Sequence, residues 1–264
     1  TAIVKDNTDK SMTKGKKIAM PVTILEAPNM KIYSVRFYKN GIISKEFVVS
    51  NDEELIKRLR IPKEIKKIED IDKMSDFDDV RVIVYSLVKQ TSVKKIPDLI
   101  ELGVSGENKW ELIKSFVNKV ISLGDVLKWN LVDVRGLTKG KGLVGPVKRF
   151  GISLKAHKSE KGVRRPGSLG PWHPARVTFR VPMAGQLGMF TRVHYNLKVI
   201  DSGDITKKNI NKGEGFKNYG NIKTNYIFLS GSVQGPAKRQ ILITPAFRPT
   251  KKSAKKNFEF LELQ

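Results

Sequence analysis

Between Arg135 and Lys198 the chain carries fourteen Lys and Arg against a single carboxylate, Glu160. The cations are Arg135, Lys139, Lys141, Lys148, Arg149, Lys155, Lys158, Lys161, Arg164, Arg165, Arg176, Arg180, Arg192 and Lys198. Such a stretch repels itself, and its apolar residues are too scattered to build a core of its own. It needs a partner, and the partner that suits it is a polyanion. The segment reads as an arm that folds against structured RNA.

The whole chain repeats the bias more weakly. Its 264 residues bound it to one or two domains. A net charge of +24 and a pI near 10.1 go with a life among phosphates, because like charges destabilise a compact state that has no counter-charge. The 39% of hydrophobic residues still suffices for a core somewhere. With no cysteine, disulfides and thiolate metal sites are excluded. No apolar run approaches the roughly 20 residues of a membrane span, and no secretory signal is visible.

Strand patterns flank the arm. Ile3-Val4 reads as a strand stub before a polar loop over 8–17, and Pro21–Glu26 as a strand. Lys31–Tyr38 alternates, with Ile32, Ser34, Arg36 and Tyr38 on one side and Tyr33, Val35 and Phe37 on the other. Asn40-Gly41 supplies a hairpin turn, and Ile42–Val49 returns. Composition changes at Ser50: residues 51–79 hold ten acids and seven Lys or Arg, a net charge of about −3. Asn51–Glu54 looks like a helix start, with Leu55, Ile56 and Leu59 as its buried stripe. Val80–Leu87 is a β-branched strand. Glu107–Leu123 is the best helix pattern, with Trp110, Ile113, Phe116, Val117, Val120 and Ile121 on one packing face. Beyond the arm, Val199–Asp201 reads as strand before a turn at Ser202-Gly203. Asn225–Ser230 and Gln240–Thr244 read as strands, Arg248–Lys256 is a second basic patch, and Phe258–Leu263 reads as a last strand or a short docking tail.

The sum is a mainly β chain with an α insert. The domain reading is barrel strands over 1–50, a helical insert over 51–124 with a strand near 80–87, a barrel strand over 125–135, a basic extension over 136–198, and barrel strands with a tail over 199–264. A closed or nearly closed barrel leaves few sheet edges exposed. A loop of some 60 residues with little structure belongs in a protein whose loop is ordered by something else.

Catalytic chemistry finds little support. Gly140-Lys141-Gly142-Leu143-Val144-Gly145 matches a dinucleotide-loop pattern after a strand, but Pro146 and Gly151 argue against the sustained helix that such a loop needs. Its glycines suit close approach to a phosphate instead. His157, His173 and His194 fit no common zinc spacing. No cofactor and no metal are expected. Gly170-Pro171-Trp172-His173-Pro174 is the most distinctive stretch: a proline-stiffened Trp amid Arg164, Arg165 and Arg176, placed to stack on a base or to tuck onto its own hairpin. Rival readings are a free-standing RNA chaperone or assembly factor, and a nucleotide-dependent RNA-modifying enzyme.

Four stretches carry a family likeness: Val134–Gly142, Gly145–Gly151, Gly167–Val177 and Met183–Gly188. With Pro21–Pro28 and Gly231–Arg239, they resemble the large-subunit ribosomal protein three family. The insert is similar to the archaeal and eukaryotic branch. The resemblance implies a translation-protein-type β-barrel with a long extension running through large-subunit rRNA toward the peptidyl transferase centre, Trp172 near its tip. It implies early binding in subunit assembly and an influence on aminoacyl-tRNA entry. The expected rRNA contacts are Arg135, Lys139, Lys141, Lys148, Arg149, Lys155, His157, Lys158, Arg164, Arg165, Trp172, His173, Arg176, Arg180, Arg192, Lys238 and Arg239. Gln186 matches a glutamine methylated in bacterial members. The implied partners are large-subunit rRNA, neighbouring ribosomal proteins and, indirectly, tRNA and elongation factors, with no membrane; the implied location is the cytoplasmic ribosome. Members of this branch open with a further basic segment holding a Lys-Ala-Gly-Met-Thr-like stretch, whereas this sequence opens at Thr1.

Overall fold

The computed structural model describes residues 1–62, 65, 76–91, 93–158 and 161–264. Glu160 and most of the acidic run within 63–75 lie outside them. The chain divides into two compact units. One comprises 1–132, 196–232 and 245–264; the other comprises 133–195 and 233–244.

The first unit is built on antiparallel sheets. β1 (Ala2–Asp6) lies between β2 (Lys17–Met20) and β14 (Phe258–Leu263). Its apolar face, Ala2 and Val4, packs with Ile200, Ile210, Ile222, Tyr226 and Phe228. β3 (Val22–Ala27) pairs with β12 (Asn225–Ser230) from Ala27–Asn225 to Val22–Ser230. By strand pairing they are part of a five-stranded sheet of order β13-β8-β11-β12-β3, of which most of β8 (Leu131–Leu137) and β13 (Ile241–Pro245) and the start of β11 (Thr191–Asp204) are counted with the second unit. Strands from before and after the extension thus share one sheet. The mainly β architecture with a helical insertion is as expected.

The insert contributes to a four-stranded sheet of order β5-β4-β6-β7, from β4 (Met30–Lys39), β5 (Ile42–Val48), β6 (Asp79–Ser86) and β7 (Leu99–Gly103). Asn40 and Gly41 turn the β4–β5 hairpin, both at positive φ. The alternation in β4 breaks once. A bulge opposite β6 between Ile32 and Ser34 shifts the phase. Ile32 therefore joins Val35 and Phe37 in one core cluster, while Tyr33 packs with Leu55 and Tyr85 in another. Phe37 is the hub of the first cluster, with its ring centroid 5.7 Å from Phe47, 4.9 Å from Phe77 and 5.7 Å from Trp110.

Four further sequence expectations need correction. The helix of 107–123 is cut to α2 (Lys109–Phe116), since Val117 leaves helical ψ and Asn118 takes a positive φ. Ile113 and Val117 are buried and Trp110, Phe116 and Ile121 pack beside them, but Val120 is exposed. The short α1 (Glu53–Ile56) buries Leu55 but leaves Ile56 exposed. β11 runs through Ser202-Gly203, because the missing side chain of Gly203 leaves room for the Tyr226 hydroxyl, 2.8 Å from where a Cβ would stand. β2 and β7 carry no sequence signal strong enough to assign. α3 (Leu123–Val126) opens on a capping box in which Ser122 and Asp125 satisfy each other's backbone N–H.

Candidate nucleic-acid interface

The second unit begins where β8 leaves the apolar residues Leu131–Val134. Its neck is a narrow ribbon. Thr138 N–H donates to the Phe190 carbonyl at 3.0 Å, Lys141 N–H to Leu187 at 2.9 Å and Leu187 N–H to Gly142 at 3.0 Å. Phe190 N–H also donates to Thr138 Oγ1 at 3.1 Å. The two strands come close enough that a Cβ on Gly188 would stand 2.0 Å from the Lys139 carbonyl oxygen, and Gly188 has φ +79°. The ribbon continues as β9 (Leu143–Val144) paired with β10 (Gly185–Gln186).

The 233–244 segment braces this neck. Gln234 Nε2 donates to the carbonyls of Val134 and Arg192, both at 2.9 Å. A Cβ on Gly235 would lie 2.8 Å from the Leu137 carbonyl oxygen. Arg135 donates to Thr244 Oγ1.

The glycine loop ends as Pro146 and Gly151 suggest, with no sustained helix. A helix does start there: α4 (Pro146–Phe150) has Gly145 as N-cap and Pro146 at its first position. It stops after five residues, at Gly151 in the left-handed region. Its Arg149 turns inward, donating to the carbonyls of Met183 and Gln186, each at 3.1 Å, with Gly185 close against the guanidinium. Gln186 is exposed, and its amide donates to the Leu187 and Gly188 carbonyls at 3.3 and 3.2 Å.

Beyond α4 the chain is mostly outward-facing. Lys139, Lys141, Lys148, His157, Lys158, Arg164, Arg165, His173, Arg176, Arg180 and Arg192 are exposed, as are Lys238 and Arg239; Arg135, Arg149 and Lys155 are half-buried. With one acid in 135–198, these cations have scarcely any counter-charge within their own segment. Trp172 is 87% exposed, so it is not tucked onto its own hairpin. Phe179, which lies in no distinctive motif, is 94% exposed, with the Arg180 guanidinium 5.9 Å from its ring centroid. Arg149 and Arg192 lie over Phe150 and Phe190 at 5.0 and 5.1 Å. The signal for Phe179 was the one that marks Trp172: an aromatic beside arginine in an acid-free stretch. Exposed aromatics interleaved with arginine suit stacking on bases, with phosphates held nearby. Among the described residues no group of three or more His, Cys, Asp or Glu is placed to hold a metal, and no helix is long and apolar enough to cross a membrane.

Comparison with known proteins agrees with these features. The family model of ribosomal protein L3 matches residues 1–263. The chain is 39% identical over 261 residues to large ribosomal subunit protein uL3 of Methanococcus aeolicus, covering 94% of this chain and 78% of that protein. It is 38% identical over 264 residues to the uL3 protein of Methanocaldococcus jannaschii, with the same coverage. The basic, aromatic-studded extension and the strands on either side of it are thus those of a chain that belongs to the ribosomal protein L3 family, a structural constituent of the large subunit of the ribosome.

Proposed function

We propose that this chain binds large-subunit rRNA through the extension over 136–198, with strands of a translation-protein-type barrel over 1–50, 125–135 and 199–264 as its anchor. The extension runs between RNA helices toward the peptidyl transferase centre. Its cations neutralise phosphates where those helices crowd, and Trp172 stacks near the tip. It binds early in subunit assembly and influences aminoacyl-tRNA entry, and so elongation-factor function, through the RNA. Neighbouring large-subunit proteins are its other partners, and Gln186 is a candidate for methylation. Peptide-bond chemistry stays with the RNA.

The observation that carries this reading is Trp172, 87% exposed on a stretch where Arg164, Arg165, Arg176 and Arg180 are exposed around it. A large apolar ring left in water contributes almost nothing to the stability of the free protein, while base stacking is worth roughly 1–3 kcal/mol. The test is rRNA binding by the full chain as a function of salt. About 6–10 phosphate contacts cost roughly 10³–10⁵ in affinity between 50 and 200 mM salt. Affinity that stays constant over that range would remove the proposal. In reconstituted subunits, Trp172→Ala should change tRNA entry or antibiotic response, and a normal phenotype removes the role given to that ring.

A further inference from the structure

A second charged surface lies in the first unit, assembled from the two ends of the described chain. Its centre is Asp6, at the end of β1 and 3% exposed. The Asp6 carboxylate accepts from Thr8 N–H at 2.9 Å, Ser11 Oγ at 2.7 Å and Thr13 Oγ1 at 2.5 Å. Its carbonyl accepts from Gly15 N–H at 2.7 Å, and its own N–H donates to Lys16 at 3.1 Å. The hydroxyl bonds, Thr13 foremost, hold this carboxyl well below the usual range, so it is a fixed anion at neutral pH. The polar loop 7–16 is thus wound around one buried charge.

That loop is stitched to the C-terminal segment. Asn7 N–H donates to the Asn257 carbonyl at 2.9 Å, Thr8 Oγ1 donates to the same carbonyl at 3.3 Å, and Asn257 N–H donates back to Thr8 Oγ1 at 2.9 Å. Asn257 ends the turn that follows α5 (Lys251–Lys255), whose N-cap Thr250 accepts from Ser253 N–H. Segments 250 residues apart in sequence are thereby held side by side.

What they present is lysine. Lys10, Lys14, Lys16 and Lys17 are exposed on the loop side. Lys251, Lys252, Lys255 and Lys256 are exposed on the helix side. Over 5–17 and 248–257 there are ten Lys and Arg against two acids, and both acids are engaged: Asp6 by the loop hydroxyls, Asp9 by Lys14 at 2.6 Å. On the adjoining sheet, Glu259 accepts from Asn7 Nδ2 at 3.2 Å and stands opposite Lys5. The remaining repulsion is built in. Lys251 and Lys255 are spaced i,i+4 on a five-residue helix, and Lys5 faces Lys17 directly across the β1–β2 pair. Like charges at both spacings are unfavourable without a counter-ion.

We propose that the Asp6-centred loop and the Thr250–Asn257 segment together form a second RNA-binding surface that grips the phosphate backbone of an RNA helix without reading its sequence. Lysine is a flexible point charge, suited to phosphate oxygens and poor at the bidentate geometry that reads base edges. An acidic protein partner is the less fitting occupant, because protein interfaces are depleted in lysine and centred on apolar residues. The proposal rests on the rRNA reading for the kind of polyanion, but the surface shares no residue with the extension.

The experiment uses the full chain with two probes: large-subunit rRNA of Methanococcus aeolicus and an RNA duplex of about 20 base pairs of arbitrary sequence, titrated between 50 and 200 mM salt. Lys251, Lys252, Lys255 and Lys256 are replaced together by Gln in one variant, and Lys10, Lys14, Lys16 and Lys17 in another. A third variant replaces Arg164, Arg165, Arg176 and Arg180 by Gln. Each lysine set should weaken duplex binding at least tenfold and make the salt dependence shallower by about two phosphate contacts, equally for duplexes of different sequence. Wild-type binding by both lysine variants, with loss in the extension variant, overturns this surface and leaves the extension standing. Salt-independent rRNA binding by the unaltered chain overturns the rRNA reading itself. Displacement of the duplex from the lysine surface by polyglutamate at equal charge makes the partner a protein and overturns the proposal. Asp6→Asn sharpens it: charge counting predicts tighter binding, whereas a pre-shaped loop predicts binding several-fold weaker despite the lost anion. Tighter binding refutes the pre-shaped loop.

Discussion

Residues 51–124 and residues 135–198 each hold fourteen Lys and Arg, but the first segment holds fourteen acids and the second only one. In the four-stranded sheet that the insert completes, the ions find each other. Arg36 bonds Glu46 at 2.9 Å and Glu101 at 2.6 Å, and Lys109 bonds Asp79 at 2.6 Å. Each such pair near the surface is worth little in stability. Their effect is to cancel charge locally, in and beside that sheet. The extension has almost nothing to cancel with, and what orders it internally is backbone: the Thr138–Phe190 and Lys141–Leu187 bonds and the close approach at Gly188. One region therefore gets its shape from side-chain packing and the other from a backbone ribbon and, on the proposed reading, the RNA it binds, and substitutions should separate the two.

The largest effect is expected in the packed region. Phe37 is 1% exposed among three aromatic neighbours. Phe37→Ala should cost about 3–5 kcal/mol in denaturant unfolding. Hydrogen exchange should show the β4 and β6 amides losing protection while the neck amides of Lys141 and Leu187 keep theirs; equal loss at both would erase the contrast drawn between the regions.

The neck comes next. Gly188→Ala puts a methyl on a left-handed backbone and onto the Lys139 carbonyl. The strain and the displaced strand together should cost at least about 2 kcal/mol. Here the neck amides should lose protection and the insert sheet should not. An unchanged exchange pattern would mean that the ribbon tolerates separation and is not what orders the extension.

How much of this was legible beforehand follows from the range of the interactions. β12 could be read because Tyr226, Ile227, Phe228 and Leu229 run unbroken, whereas Glu259 and Glu262 interrupt β14 and left it open between a strand and a tail. The phase of β4 could not, since the bulge at Ile32–Ser34 arises from its pairing with β6, some fifty residues away. Gly203 carries a turn signal locally, yet it lies mid-strand to make room for Tyr226, a tertiary contact. In the interface the excess charge was readable from composition, and Trp172 stood out between its prolines, but whether its ring tucks in or faces out was decided only by the fold. The inward turn of Arg149 was not, because its acceptors Met183 and Gln186 are more than thirty residues on. Sequence marks a cation but not which of its possible acceptors the fold will deliver.

Acid should also act on one region only. The Tyr38 hydroxyl, followed by Arg36, holds the Glu101 carboxyl below its ordinary range, and Lys109 does the same for Asp79. A carboxylate with a depressed folded-state pKa contributes stability that is complete above its unfolded value, near 4.5 for Glu101 and 3.8 for Asp79, and is lost as pH falls through the lower folded one. Lowering the pH from 6 toward 3 should therefore weaken the insert sheet modestly, as read by faster exchange at β6 and β7. Glu101→Gln should flatten that dependence. The neck, with no carboxylate between Arg135 and Lys158, should respond far less.

The smallest stability change is expected at Trp172. Its ring is 87% exposed, so Trp172→Ala removes little burial and should shift unfolding by no more than about 0.5 kcal/mol. In a packed segment a Trp→Ala change costs about 3–5 kcal/mol, so this one substitution distinguishes the two ways of ordering a chain. A stability loss of that larger size in the free protein would mean that the ring is packed and that the extension holds its own shape. A negligible loss in the free protein, together with weaker rRNA binding, is what a segment shaped by its ligand requires. The stacking energy then appears only in the complex, as a drop in affinity of up to roughly 1–3 kcal/mol that salt does not remove, whereas loss of Arg164 or Arg176 should fade as salt rises.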